Sequence, residues 1–235
     1  MLDTDELVLR YAVPERETPH LRVNFISSLD GAATHDGLTA GLNNADDKQV
    51  FDTLRMLSDA VLVGAGTLRQ EGYGAMVLDA PAVAWRTARR LPAHPTLAVV
   101  SGRLDLDPRS PLFAEAPVRP LVLTHAGAPR DRRRALAAVA DVVVCGDDAV
   151  DPHRAARELT RRGLTQVLCE GGPHLLGTLV AADLVDELCL TLSPVLEGGH
   201  AGRITAGGAQ VTRPMRLAHV LTAGDLLLLR YLRAR

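Results

Sequence analysis

The sequence predicts an α/β protein: a mixed, mostly parallel central sheet flanked by helices, with an antiparallel hairpin at the C-terminus. Three observations carry this. Short apolar, β-branched runs alternate with helix-period segments along the whole chain, the rhythm of parallel βαβ units. Several of those runs end in glycine or in a small polar residue, as strands do before a βα turn. Near the end, "TAGD" separates two apolar runs, which reads as a hairpin.

A length of 235 residues suits one α/β domain, and no repeat or low-complexity linker divides it, so a single domain over 1–235 is expected. The first 20 residues read as a polar leader without an apolar h-region, and no apolar stretch approaches the ~18 residues of a membrane span, so a cytoplasmic protein is expected.

The elements follow in order. "LRVNFISSLDG" is a buried strand stopped by a turn. "NNADDKQVFDTLRMLSDA" places Val50, Phe51, Leu54 and Leu57 at helical spacing, with Asn44 as N-cap and Asp46 and Asp47 in the first turn. "AVLVGAGTLRQEGYG" reads as a strand, a glycine turn and a short helical turn. The helix "APAVAWRTARRL" leads to the strand "TLAVVSG"; proline-rich "LDLDPRSPLFAEAPVRP" is then a surface loop before the strand "LVLTH". Helices over "PRDRRRALAAVA" and "DPHRAARELTRRG" alternate with the strands "DVVVCG" and "QVLCEGG". The last third, "VDELCLTLSPVLEGG" and "MRLAHVLTAGDLLLLRYLR", is strand-rich.

Composition narrows the function. Hydrophobic residues make up 47% and aromatics only 3%, so the core is aliphatic, and a net charge of −2 points away from nucleic acid and anionic membranes towards a small-molecule partner. The basic run "RDRRR" lacks interleaved aromatics and reads as a solvated helix face. Cys145, Cys169 and Cys189 sit in apolar runs with no CxxC pair, and no HxxxH or HExxH occurs, so no metal is expected.

The stretch "LCEGGPHLL" concentrates the chemistry. A strand ends at Cys169, Glu170 follows, and Gly171 and Gly172 precede a helix that opens on Pro173, where a missing N–H costs nothing. Glycines at a helix start leave free amides and room for a phosphate, although the same pair also serves a plain tight turn. The strand "VLV" ends alike, in Gly64, Gly66 and Thr67. Two such junctions on the carboxyl edge of one parallel sheet suit an extended ligand such as a dinucleotide. The usual GxGxxG spacing is absent, so any nicotinamide coenzyme binds through another geometry. Glu170 either caps neighbouring amides or faces a heterocycle, and Asp30 of "SLDG" either makes an Asx turn or faces the same cleft.

"VNFISSLDGAAT", "DKQVFDTLRMLSDAVLVGAGTLRQEGYG", "VLCEGGPHLLGTLVAADLVDELCLTLSPVLEGG" and "GDLLLLRYLR" together resemble the reductase domain of riboflavin biosynthesis, over roughly residues 20 to 233. That family has a dihydrofolate-reductase-like fold and is often fused behind a pyrimidine deaminase, whose zinc signature is absent here. The resemblance implies NADPH-dependent reduction of a ribosylaminopyrimidine phosphate of the 5-amino-6-(5-phosphoribosylamino)uracil type, by direct hydride transfer, in a homodimer. By position, Gly64, Thr67 and Arg69 would line the cofactor, and Ser101 and Arg103 would meet the adenosine ribose and its 2′-phosphate. Gly171, Gly172 and Leu175 would hold the pyrophosphate and nicotinamide side. Asp30 and Glu170 would be catalytic, and Asn24, Asn43 and Lys48 would bind substrate.

The chain departs from the family pattern on the substrate side. Asn24 replaces a lysine, "GLNNAD" a Trp-Ile-Thr stretch, Lys48 an arginine, and "QEGYG" an aspartate-proline loop. Two other readings therefore stand beside the first: a pterin reductase on the same fold, and a catalytically silent NADPH-binding module.

Overall fold

The computed structural model describes residues 2–234. Its frame is a nine-stranded sheet of order β5-β4-β3-β2-β6-β1-β7-β9-β8. The strands are β1 (His20–Ser27), β2 (Ala60–Gly64), β3 (Thr96–Val100), β4 (Leu121–Thr124), β5 (Asp141–Val144), β6 (Gln166–Cys169), β7 (Glu187–Leu192), β8 (Met215–Ala223) and β9 (Leu226–Arg233). Every pairing from β5 across to β7 is parallel, and β9 runs antiparallel to both β7 and β8, as the "TAGD" hairpin predicts.

The helices are α1 (Thr4–Tyr11), α2 (Ala45–Leu57), α3 (Ala65–Glu71), α4 (Ala80–Ala88), α5 (Pro111–Ala114), α6 (Arg130–Ala137), α7 (Pro152–Arg161) and α8 (Pro173–Ala181). Helix α2 starts where the sequence places it: Asn44 accepts from the amides of Asp46 and Asp47, and Val50, Leu54 and Leu57 go into the core. The central strands are apolar on both faces because both are covered. Val61, Val63, Leu97, Val99 and Val122 meet Leu68, Leu112 and Leu136 on one side. Leu62, Ala98, Leu121 and Cys169 meet Ala155, Leu159, Leu176 and Leu179 on the other.

Two segments differ from expectation. The polar leader holds α1, whose Leu7 and Tyr11, one turn apart, are buried against Val50, Leu54 and Leu57. Only a narrow apolar stripe faces the core, so average polarity hid the helix. The proline-rich stretch after β3 is exposed only in part: Leu104, Leu112 and Phe113 fill the core beneath it, and Pro111 opens the short helix α5.

At the amino edge, Glu187 is fully buried between Arg22 and Arg230 and also accepts from His20. Burial pushes its carboxyl upward, but these partners, Arg22 foremost, hold it well below the usual carboxylate range. The two arginines also donate to the carbonyls of Tyr11 and Arg10, which ties α1 to the sheet.

Candidate active site

The strand order sets β2 beside β6, with Val61 opposite Leu168 and Leu62 opposite Cys169, so their carboxyl ends emerge together. The two glycine junctions consequently touch: the Gly64 amide donates to the Gly171 carbonyl at 2.9 Å. Gly64 is the N-cap of α3 and Gly172 that of α8, and neither helix start receives a side-chain cap. Two helix N-termini with unfilled amides therefore sit side by side, a ready anion site. Gly171 has a φ of +112°, open to glycine alone without strain, and a Cβ on Gly172 would come within 2.4 Å of Thr67 Oγ1.

This ridge separates two clefts. The first, about 490 Å³, is mostly apolar and is bordered by Gly64, Ala65, Gly66, Arg69, Ser101, Gly102, Arg103, His125, His174 and Leu175. The second, about 470 Å³, is more polar and is bordered by Asn24, Thr34, Asn43, Asp47, Lys48, Arg55, Thr67, Tyr73, Glu170, Gly171 and Gly172. An extended ligand crossing the ridge would reach both.

In the second cleft Arg55, in the last turn of α2, grips Glu170 with two parallel bonds: Nε to Oε1 at 2.6 Å and Nη2 to Oε2 at 2.7 Å. Tyr73 adds its hydroxyl to Oε2 at 3.0 Å, and the guanidinium stacks 4.1 Å from the centre of Phe51. Burial, together with the neighbouring Glu170 charge, pushes the Tyr73 hydroxyl well above the usual phenol range, so it stays a donor. Asp47 faces the same space. Burial raises its carboxyl above the ordinary range, and Thr191 Oγ1 donates to Oδ1 at 2.6 Å.

The sequence-selected residues distribute unevenly. Gly64, Arg69, Ser101, Arg103 and Leu175 border the first cleft; Thr67, Gly171, Gly172, Asn24, Asn43, Lys48 and Glu170 border the second. Several are already engaged. Ser101 Oγ accepts from the Leu104 amide, Arg69 donates to the Asp105 carbonyl, and Lys48 pairs with Asp52. Asp30 is placed away from the walls of both clefts. Its exposed carboxylate accepts from Ser28 Oγ and from the amides of Glu197 and Gly198, which holds it down to about pKa 2. Its visible work is to fasten the 193–214 connection to the end of β1; the amide an Asx turn would use, that of Ala32, donates to Ser28 Oγ instead.

Sequence reasoning passed over Arg55, Tyr73, Asp47 and His125. Arg55 and Glu170 are 115 positions apart, so only the fold makes them a pair. Asp47 did carry a signal: an acid on the apolar side of a helix whose capping was already supplied by Asn44.

Comparison with known proteins gives the family and the fold. Residues 19–229 match the family model described as the RibD C-terminal domain. A 2,5-diamino-6-ribosylamino-4(3H)-pyrimidinone 5′-phosphate reductase of Archaeoglobus fulgidus is 27% identical over 208 residues, 88% of this chain and 94% of that one. Riboflavin biosynthesis protein RibD of Mycobacterium tuberculosis is 25% identical over 201 residues; the match takes in 84% of this chain and 49% of that longer one. Among solved structures, a pyrimidine reductase-like protein of Corynebacterium diphtheriae superposes with a TM-score of 0.89 at 27% identity, covering 100% of both chains.

Proposed function

The chain belongs to the RibD C-terminal domain family, and from that premise we propose that it is an NADPH-dependent reductase of a ribosylaminopyrimidine phosphate. One observation carries the reading: two clefts meet at a ridge of glycines where two uncapped helix starts lie side by side. The donor set fits a dinucleotide, because the ridge offers backbone amides without Cβ atoms to a diphosphate, while an apolar cleft and a polar cleft lie on its two sides.

In this reading Gly64, Thr67, Gly171 and Gly172 border the diphosphate, with Leu175 beside them on the side of the first cleft. Ser101 and Arg103 meet the adenosine ribose, where the exposed Arg103 guanidinium engages a 2′-phosphate. Bound there, NADPH would supply a hydride to C1′ of the ribosyl group, and with cleavage of the C1′–O4′ bond and a proton from solvent on O4′ the ring would open to a ribityl chain. The protein's own contribution is positioning. Glu170, clamped by Arg55 and Tyr73, acts as a rigid wall of the substrate cleft, and Lys48 and Asn43 at its exposed rim meet the substrate phosphate.

The test is NADPH oxidation with a ribosylaminopyrimidine 5′-phosphate as acceptor. Turnover with release of the ribityl product is expected. NADPH binding with no turnover of any pyrimidine would leave a silent binding module instead.

A homodimer belongs to the same proposal. Leu188, Leu190, Leu192, Leu227, Leu229, Tyr231, Leu217 and Val220 alternate along β7, β9 and β8 on one face, and Leu217 and Val220 are exposed. Light scattering at micromolar concentration should give twice the chain mass; a monomer mass would reject it.

A further inference from the structure

We infer that His125 completes the site for the coenzyme's 2′-phosphate: it takes a proton from solvent when that phosphate arrives, and so makes the preference for NADPH over NADH depend on pH. This rests on the reductase reading and deepens it. Strands β3 and β4 run parallel, with Val100 opposite Leu123, and the Ser101 amide donates to the Leu123 carbonyl at 3.0 Å. The turn of Ser101, Gly102 and Arg103 therefore leaves the sheet beside His125, the residue after β4. The imidazole stands in a slot between two glycines. A Cβ on Gly102 would come within 3.2 Å of Nε2, and one on Gly127 within 3.3 Å of Nδ1. Nδ1 meets the Asp147 carbonyl at 3.3 Å. A carbonyl only accepts, so Nδ1 carries the proton of the neutral ring, and Nε2, against Gly102, presents a lone pair. Among the described residues Nε2 has no hydrogen-bond partner, and His125 borders the first cleft.

The other charged or titratable groups on this cleft are Arg69, Arg103, Asp105, Asp148 and His174. Asp105 pairs with Arg132 at 3.6 Å, and the Asp147 carboxylate behind the slot pairs with Arg154 at 3.9 Å. Asp148 is exposed, so water screens it. Arg103 supplies a permanent positive charge; among the described residues it is engaged only through its carbonyl, by Arg132. A phosphate monoester brings close to two negative charges at neutral pH and three oxygens that accept. A neutral Nε2 would meet those oxygens lone pair to lone pair, whereas a protonated ring donates to them. An opposite charge within about 4–6 Å favours the protonated ring, so the proton enters with the phosphate and returns to solvent when it leaves. NADH sets a 2′-hydroxyl at the same place, which donates to the neutral Nε2 and needs no added proton. The NADPH complex therefore holds more protons than the free protein, and its affinity falls as the pH rises, while that of NADH stays level.

Calorimetric titration of NADPH and of NADH, in buffers of different ionisation enthalpy at about pH 7.5, counts the protons taken up; the phosphate of free NADPH is by then almost wholly dianionic. The wild type should take up roughly half a proton with NADPH and none with NADH. Between about pH 7 and pH 9 its preference for NADPH should fall roughly tenfold, the slope that half a proton requires. His125→Gln still offers a neutral hydrogen bond but cannot be protonated, so the uptake should vanish and the preference should stay level with pH. His174→Gln, which removes the other imidazole on the cleft, should keep both. No uptake with NADPH overturns the inference, and a standing preference for NADPH then leaves the coenzyme assignment intact. Uptake that survives in His125→Gln, disappears in His174→Gln, or is equal with NADH also overturns it. Uptake through His125 without turnover of any pyrimidine upholds the inference and rejects the reductase reading. Binding of neither coenzyme overturns both.

Discussion

Arg55→Met tests whether the substrate cleft is held open by one ion pair. The two bonds of 2.6 and 2.7 Å put the charge centres about 4 Å apart, where attraction at an effective dielectric of about 20 is about 4 kcal/mol. Water still reaches the 20% of the Arg55 side chain that is exposed, whereas Glu170 is at 0%, so screening and desolvation bring the expected coupling down to about 2 kcal/mol. Removing the arginine leaves a carboxylate inside the wall with only the Tyr73 hydroxyl, and the single variant should lose about 3 kcal/mol. Loss of the stacking on Phe51 is included in that figure. Glu170→Gln should cost somewhat less, since the amide oxygen still accepts from Arg55. The double variant should be more stable than the sum of the two losses allows. Urea unfolding followed by circular dichroism gives all four corners of the cycle. Losses that simply add, to within about 0.5 kcal/mol, would refute the claim that these groups support each other.

Three further outcomes follow from the same geometry. Gly172→Ala should weaken NADPH at least about 100-fold, the equivalent of losing one or two charge-assisted hydrogen bonds. Its Cβ collides with Thr67 Oγ1, so Gly172→Ala/Thr67→Ala controls for that clash, and recovered binding in the double variant would clear the ridge of a direct role. Arg103→Ala should weaken NADPH roughly tenfold or more and leave NADH nearly unchanged, as removal of one phosphate contact requires; equal weakening in calorimetry would mean that the 2′-phosphate is read elsewhere. Stability should fall on acidification because the folded carboxyl of Glu187 lies below its unfolded value of about 4.3. Its contribution is complete above that value and is lost as the pH drops further, so Glu187→Gln should flatten the acid limb of a melting-temperature profile. An unaltered limb would assign the pH dependence to other groups.

Much of this architecture was legible in the chain. The order of strands and helices follows from local patterns: the N-cap Asn44, the helix-opening Pro173, the glycines at Gly64 and Gly171, and the "TAGD" turn each declare a boundary within a few residues. The strand order placing β2 against β6 is a long-range fact, yet the parallel α/β rhythm limited where ligand-binding turns could gather. Long-range partnerships were less legible. Glu170 read as a cap for amides or a ring-facing acid because its arginine lies 115 positions away on α2, and Asp30 read as an Asx turn or a cleft residue because its partners, the amides of Glu197 and Gly198, carry no side-chain signature. Helix α1 was hidden for another reason. Leu7 and Tyr11 are its only deeply buried side chains, too few to lift the average of a charged segment, and its docking depends on arginines from β1 and β9.

A crystal structure with NADPH tests the account most directly. The diphosphate is expected between the starts of α3 and α8, against Gly64 and Gly172, with the adenosine in the cleft beside Ser101 and Arg103 and the nicotinamide turned towards Asn24 and Asp47. A coenzyme bound off that ridge, or confined to one cleft, would contradict it.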